Sequence, residues 1–309
     1  MSELNLREAD RLEVTVLVDN YTDALLLQNT DVVKRPRSPP PNVLLAEHGL
    51  SCLLKVFIGS EEHVVLMDAG MSATCLFHNS NVLKMNLGNV ESVVLGHGHF
   101  DHFGALSEVL KRTTERIPLT LHPDAFLERR LNIPGGIVDF PTLDEATLRE
   151  NDVELQKAKG ASTLASDLIL VSGEVQRVTD FEKGFPWAEA KIDDDWVVDP
   201  FLDDQGVAIK VKGRGLVVIG GCSHAGIINM VKHLQRVART SKVHAVLGGF
   251  HLTGPVFEPI IGKTIEEMKK ISPDFVVPTH CTGWKAINQF AEAMPNQFLL
   301  NTVGTTYVF

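Results

Sequence analysis

The segment His97-Gly98-His99-Phe100-Asp101-His102 places four metal-ligating side chains within six residues. It follows Ser92-Val93-Val94-Leu95-Gly96, an apolar run that reads as a buried strand. Alternate side chains of a strand share a face, so His97 and His99 can address one ion. From Phe100 to Val109 the apolar spacing becomes helical, and that change of direction can swing Asp101 and His102 towards a second ion. Imidazole nitrogen and carboxylate oxygen together suit zinc, iron or manganese. One or two divalent ions are expected, zinc foremost.

Three later segments share a pattern, a buried apolar run closed by a histidine. They are Leu216–Ile219 leading to Gly220-Gly221-Cys222-Ser223-His224, Val243–Leu247 leading to Gly248-Gly249-Phe250-His251, and Phe275–Val277 leading to Pro278-Thr279-His280. Glycine pairs let backbone approach closely at strand ends, and sites in layered folds gather where strands stop. His224 is expected as a ligand on its chemistry. Cys222 is either a thiolate ligand or an inert small residue beside the ligands. His251 is a candidate proton donor, since imidazole titrates near neutrality; a ligand or substrate-phosphate role stays open. Asp203 and Asp204 either supply a carboxylate or sit on the surface, the commoner case for aspartate. Asn20, after the first strand, is a candidate for the mouth of the site. His48, His63, His78, His122, His233 and His244 lack this context and read as surface or satisfied core residues.

The elements that must position these groups alternate along the chain. Leu12–Val18, Cys52–Ile58 and His63–Met67 read as strands, the last two joined by a hairpin at 59–62. Between them Lys34-Arg35-Pro36-Arg37-Ser38-Pro39-Pro40-Pro41 must be a loop, because proline cannot donate to a sheet ladder. It is either a solvated surface loop or a flap carrying Lys34, Arg35 and Arg37 to an anionic substrate. Helices are expected over 72–85, 103–111, 123–130, 225–239, 257–271 and 284–293, and closing strands over 298–300 and 305–309. Residues 131–166, with Pro134-Gly135-Gly136, Pro141 and Gly160, read as an irregular insertion. Strands and helices mix in both halves with no convincing linker, so one domain over 1–309 is expected.

Composition narrows the function. A net charge of −10 over 309 residues argues against nucleic acid as a partner. No apolar run is long enough to span a bilayer, and Met1–Glu8 has no apolar signal region. Cys52, Cys75, Cys222 and Cys281 are scattered, which fits a reducing, cytoplasmic setting. The expected partner is a small, anionic molecule.

The HxHxDH pattern at 97–102, preceded by Val64-Val65-Leu66-Met67-Asp68-Ala69-Gly70, resembles the metallo-β-lactamase fold superfamily over nearly the whole chain. Gly221-Cys222-Ser223-His224-Ala225-Gly226, Gly248-Gly249-Phe250-His251 and Thr279-His280-Cys281-Thr282-Gly283 resemble the subgroup that includes dihydropterin–ribofuranosyl-aminobenzene phosphate synthases. The resemblance implies an α+β fold, a four-layer αββα sandwich with metals at the sheet edges. It implies that His97 and His99 hold a first ion, that Asp101 and His102 hold a second, that His280 is the last ligand, and that Asp68 orients a ligand. The chain departs from the superfamily pattern at Cys222, where a bridging aspartate is usual.

Three functions follow. The first is a hydrolase, with metal-activated water attacking a phosphoester, thioester or lactone, Asp101 orienting the water and His251 protonating the leaving group. The second, implied by the subgroup, is a synthase joining a dihydropterin to an aminobenzene ribosyl phosphate. The third is a metal-stabilised ligand sensor, since function belongs to the site and not the fold.

Overall fold

The computed structural model describes residues 4–151 and 153–309; the first three residues of the N-terminal octapeptide read above lie outside them. Period-two burial splits each central strand between two cores. Along Ser51–Ile58, Cys52, Leu54 and Val56 point to one interior and Leu53 to another. Along Gly215–Gly220, Val217 and Ile219 join the first interior while Leu216 and Val218 join a third. Two sheets therefore face each other across a shared apolar layer, with helices on both outer faces. The fold is the α+β, αββα sandwich.

The first sheet runs antiparallel through Thr306–Val308, Arg11–Val18, Ser51–Ile58 and Glu61–Met67, then parallel through Ser92–Val94, Pro118–Leu121 and Glu154–Lys157. Helices Ala73–Val82 and Leu106–Leu110 cover it with Cys75, Leu76, Leu106 and Val109. The second sheet orders Ser162–Leu164, Ile169–Val171, Gly206–Val211, Gly215–Gly220, Val243–Gly249 and Phe275–Thr279, the last three mutually parallel. Helices Ile227–Val237, Ile261–Ile271 and Trp284–Ala293 cover it with Ile228, Val231, Leu234, Met268 and Phe290.

Several expectations need correcting. Residues 131–166 are not one insertion. Arg129–Ile133 and Gly136–Asp139 form a hairpin that pairs with Ala188–Ile192 and Asp195–Val198 in a separate four-stranded sheet. The rest of the stretch feeds Glu154–Lys157 and Ser162–Leu164 into the two main sheets. The helix expected over 123–130 is a single 3-10 turn, Pro123–Phe126, because Arg129 already belongs to that hairpin. The helix expected from Phe103 is two short ones, Phe100–Phe103 and Leu106–Leu110. Between them Gly104 packs so tightly that a Cβ would stand 2.0 Å from the Met71 carbonyl oxygen. Phe298 makes only an isolated bridge to Val276, not a strand. Among the described residues no helix is long and apolar enough to cross a membrane.

Candidate metal centre

All five histidine- or aspartate-bearing loops leave the same ends of parallel strands. Asp68 follows Glu61–Met67, the 97–102 segment follows Ser92–Val94, and Cys222 with His224 follows Gly215–Gly220. His251 follows Val243–Gly249 and His280 follows Phe275–Thr279. Pairing of Gly220 with Gly248, and of Gly248 with Pro278, sets the last three loops side by side. Two glycines make the approach possible: a Cβ on Gly98 would stand 2.0 Å from the Ala125 carbonyl oxygen, and one on Gly248 (φ +123°) 2.1 Å from that of Gly220. Non-glycine residues here also adopt left-handed backbone: Asp68 (φ 60°), Phe201 (50°), Ser223 (58°), His251 (44°) and His280 (49°). Each costs about 1–3 kcal/mol, and such strain concentrates at functional sites.

The ligand atoms converge. Donor atoms of His97, His99 and Asp101 lie within 4.8 Å of one another, as do those of His97, Cys222 and His224. The same limit holds for Asp101, His102, Cys222 and His280. Cys222 Sγ is 3.2 Å from His102 Nε2 and 3.3 Å from His280 Nε2, which is itself 3.2 Å from Asp101 Oδ2. The thiol thus belongs to two of these three groups.

Divalent ions fit this donor set. Both ring nitrogens of His97 and of His224 are buried without a hydrogen-bond partner. An orphaned buried polar atom costs about 1–3 kcal/mol, so two rings left bare side by side call for a ligand. Burial first, and neighbouring imidazoles next, push His97 and His224 well below the ordinary histidine range. Burial, then Arg129, does the same to His99. Neutral imidazole is the form that binds metal. Burial alone would raise Asp101, but His102 and His280 outweigh it and hold the carboxyl below its usual value.

A layer of hydrogen bonds aims these rings. His102 Nδ1 lies 2.6 Å from Asp68 Oδ2, and Asp68 Oδ1 accepts from the Gly96 N–H at 2.6 Å. Ser51 Oγ donates to the Asp68 carbonyl at 2.8 Å. The His280 N–H donates to Asp19 Oδ1 at 2.8 Å, and Asn20 Nδ2 donates to the His280 carbonyl at 3.1 Å. Asn20 lines the cavity over the ligands, but its bonds go to the His280 carbonyl, the Gly49 N–H and the rings of His280 and His48.

Other candidates stand elsewhere. Arg37 is exposed and lines no cavity at the centre. The basic flap is not assembled. The Arg35 guanidinium is taken up by Thr302 and Thr305 hydroxyls and the Leu300 carbonyl, and Lys34 Nζ donates to the Thr30 carbonyl. Asp203 and Asp204 are buried, not on the surface. Asp203 accepts from the Gly98 N–H at 2.8 Å and from Arg129 Nη2 at 2.7 Å; Asp204 accepts from the Ala225 N–H at 2.9 Å. Both brace the ligand loops through these bonds, and Asp204 Oδ1 is buried without a hydrogen-bond partner.

Sequence reasoning missed three groups. Arg129 bridges Asp203 and Asp199, the latter at 2.7 Å, and carries no local motif. His48 Nε2 lies 3.4 Å from Asp101 Oδ2, but this histidine precedes a strand instead of ending one. Donor atoms of Cys281 and His251 lie within 4.8 Å of each other and of Cys222 Sγ. The adjacency of Cys281 to His280 was the available signal.

The family model described as "Metallo-beta-lactamase superfamily" matches residues 56–228. The chain is 31% identical over 304 residues to the 7,8-dihydropterin-6-methyl-4-(beta-D-ribofuranosyl)-aminobenzene-5'-phosphate synthase of Methanocaldococcus jannaschii, covering 96% of each chain. It is 32% identical over 261 residues to a second, uncharacterized protein of that organism, covering 84% of this chain and 92% of the other. Among solved structures, Tm1679, a metal-dependent hydrolase of the beta-lactamase superfamily, superposes with a TM-score of 0.74 at 21% identity, covering 96% of this chain and 98% of that one. Zn2+-bound PqqB from Methylobacterium extorquens gives a TM-score of 0.51 at 12% identity, covering 95% and 99%.

Proposed function

The chain belongs to the metallo-β-lactamase superfamily, and from that premise we propose that it is a metal-dependent enzyme that joins two substrates, a dihydropterin and an aminobenzene ribosyl phosphate. The observation that carries the reading is a pair of adjoining chambers, about 400 Å3 and 510 Å3, that share His224, His251, Phe185 and Phe257 as a common wall. Each falls in the range of a small-ligand pocket. A hydrolase acting on one small ester needs only one of them. The full-length likeness to the M. jannaschii synthase supports the same reading.

In this scheme His97, His99 and His224 would hold one ion, and Asp101, His102 and His280 the other, with the Cys222 thiolate between them. A thiolate beside imidazoles favours zinc or iron over manganese. Ions there would supply positive charge against a departing diphosphate. The remaining work falls to the chain's own side chains. Phe100, Phe140, Phe185 and Phe257 give planar rings an apolar bed in the smaller chamber. His251, on the wall between the chambers, accepts the proton released by the attacking amine. A C–N bond forms at the pterin 6-methylene carbon, the C–O bond to diphosphate breaks with its electron pair, and the amine proton goes to His251.

The hydrolase reading keeps one specific support. His48, beside Asp101, has a side chain 56% exposed, so solvent reaches that edge of the centre. Supplying a 6-hydroxymethyl-dihydropterin diphosphate with and without the amine separates the two. Diphosphate release that requires the amine, with a condensed product in equal amount, supports the synthase. Release without the amine supports the hydrolase.

A further inference from the structure

We infer that the larger chamber is a phosphate subsite, with Arg177 and Lys183 as its anion-binding side chains. The inference rests on the two-substrate reading in one respect, since that reading supplies a phosphorylated ribosyl partner. The rest is carried by charge. In a chain of net charge −10, the smaller chamber has no lysine or arginine in its lining, whereas the larger one has Arg177 and Lys183.

Neither cation is spent. The Arg177 guanidinium is held by two neutral acceptors, the Lys183 carbonyl at 3.3 Å from Nη1 and the Pro200 carbonyl at 3.1 Å from Nη2. Neither residue has an ion-pair partner among the described residues. Gly184 (φ +89°) keeps room for the guanidinium, because a Cβ there would stand 3.0 Å from Arg177 Nη1. The fork is therefore oriented before any ligand arrives, which lowers the entropy cost of binding an anion.

The chamber also has two carboxylates, and both are already engaged. Asp199 accepts from Arg129 Nε at 2.7 Å and from the Phe201 N–H at 2.8 Å. Glu182 accepts from the N–H groups of Ile228 and Asn229, each at 2.9 Å, and from the Thr179 hydroxyl. Neither carboxylate is hydrogen-bonded to Arg177 or Lys183, which are the arginine and lysine of the lining. The chamber's other walls are apolar, with Phe181, Phe250 and Leu252 suited to a sugar or aryl face. A phosphate clamped by Arg177 leaves the opposite end of the molecule towards His251 and the ion ligands.

Isothermal titration of the metal-loaded protein with ribose 5-phosphate, and with ribose, tests this directly. The probe carries the phosphate and sugar but lacks the aryl amine, so it cannot be condensed with a pterin. Ribose 5-phosphate is expected to bind at least tenfold more tightly than ribose. The Arg177→Ala/Lys183→Ala variant is expected to lose that preference while keeping its melting temperature and metal content, since both side chains are exposed. Undiminished binding in the variant would place the phosphate on the ions and overturn the subsite. Absence of binding to the parent protein would overturn it as well. No turnover is read, so a failure of the synthase assay alongside Arg177-dependent binding would sink the reaction and leave the subsite standing.

Discussion

Asp68 Oδ2 and His102 Nδ1 lie 2.6 Å apart with both side chains fully buried, and this contact fixes which nitrogen of His102 faces Cys222. The pair ties the loop after one strand to the ligand segment after the next, because Asp68 also holds the Gly96 N–H. Carboxylate–imidazole contacts of this kind orient metal ligands and raise their basicity.

Asp68→Asn tests that role without disturbing the backbone. Asparagine tolerates the left-handed conformation at φ 60° and can still accept from Gly96. The charge opposite His102 is lost. Affinity for the ion on the His102 side is expected to fall roughly 10–100-fold, with the other ion retained. Competition with a chromogenic chelator reads the two affinities separately; equal affinities in parent and variant would deny Asp68 this function.

Arg129→Met addresses the brace behind the ligand loop. Arg129 is 4% exposed and ion-pairs with both Asp199 and Asp203. Removing it leaves two buried carboxylates unpaired, and breaking such a pair costs about 3–5 kcal/mol. Denaturant unfolding of the metal-loaded protein should show that loss. A change below about 1 kcal/mol would mean that water replaces the guanidinium easily.

Glu182 gives a pH signature. Burial pushes its carboxyl up to about 7 although Ile228 and Asn229 donate to it. The unfolded chain releases this proton near the ordinary glutamate value. Between those two pH values the native state binds more protons than the unfolded state, so this group's stabilising contribution is full at low pH and is lost as pH rises through about 7. Comparison of parent and Glu182→Gln stabilities at pH 5 and pH 8 should show the parent losing ground at the higher pH, on the order of 2 kcal/mol. A gap independent of pH would show that Glu182 titrates normally.

Cys222→Ser separates a shared thiolate from an inert thiol. Protein loaded with Co2+ should show a sulfur-to-metal charge-transfer band that the serine variant lacks, with tertiary structure preserved because the change is nearly isosteric. Identical spectra would place Cys222 outside the coordination sphere.

Much of the centre was legible because strands announce themselves locally. Continuous apolar runs, two of them closed by glycine pairs, marked the strand ends at Gly220, Gly249 and Thr279, and the histidines after them converge. The HxHxDH spacing needs only the strand and turn around it. Arg129 was not legible, since its partners lie 70 and 74 residues away across a hairpin that itself read as a helix followed by an insertion. The burial of Asp203 followed from the same long-range pairing. His48 was hidden because nothing near it in sequence shows that its strand's start lies beside Asp101. The proline-rich stretch is loop from Arg35 on, while Lys34 closes the short strand Val33–Lys34 that pairs with Thr306 and Tyr307; the direction of Arg35 depends on the C-terminal segment packed over it, which local composition does not encode.

The central claim is a two-ion centre with Cys222 between the sites, and the direct measurement is metal content per chain on protein purified without added metal, for the parent and for His224→Ala. Two ions per chain, falling to one in the variant, is the predicted result. One ion in both proteins, or none in the parent, would contradict the account.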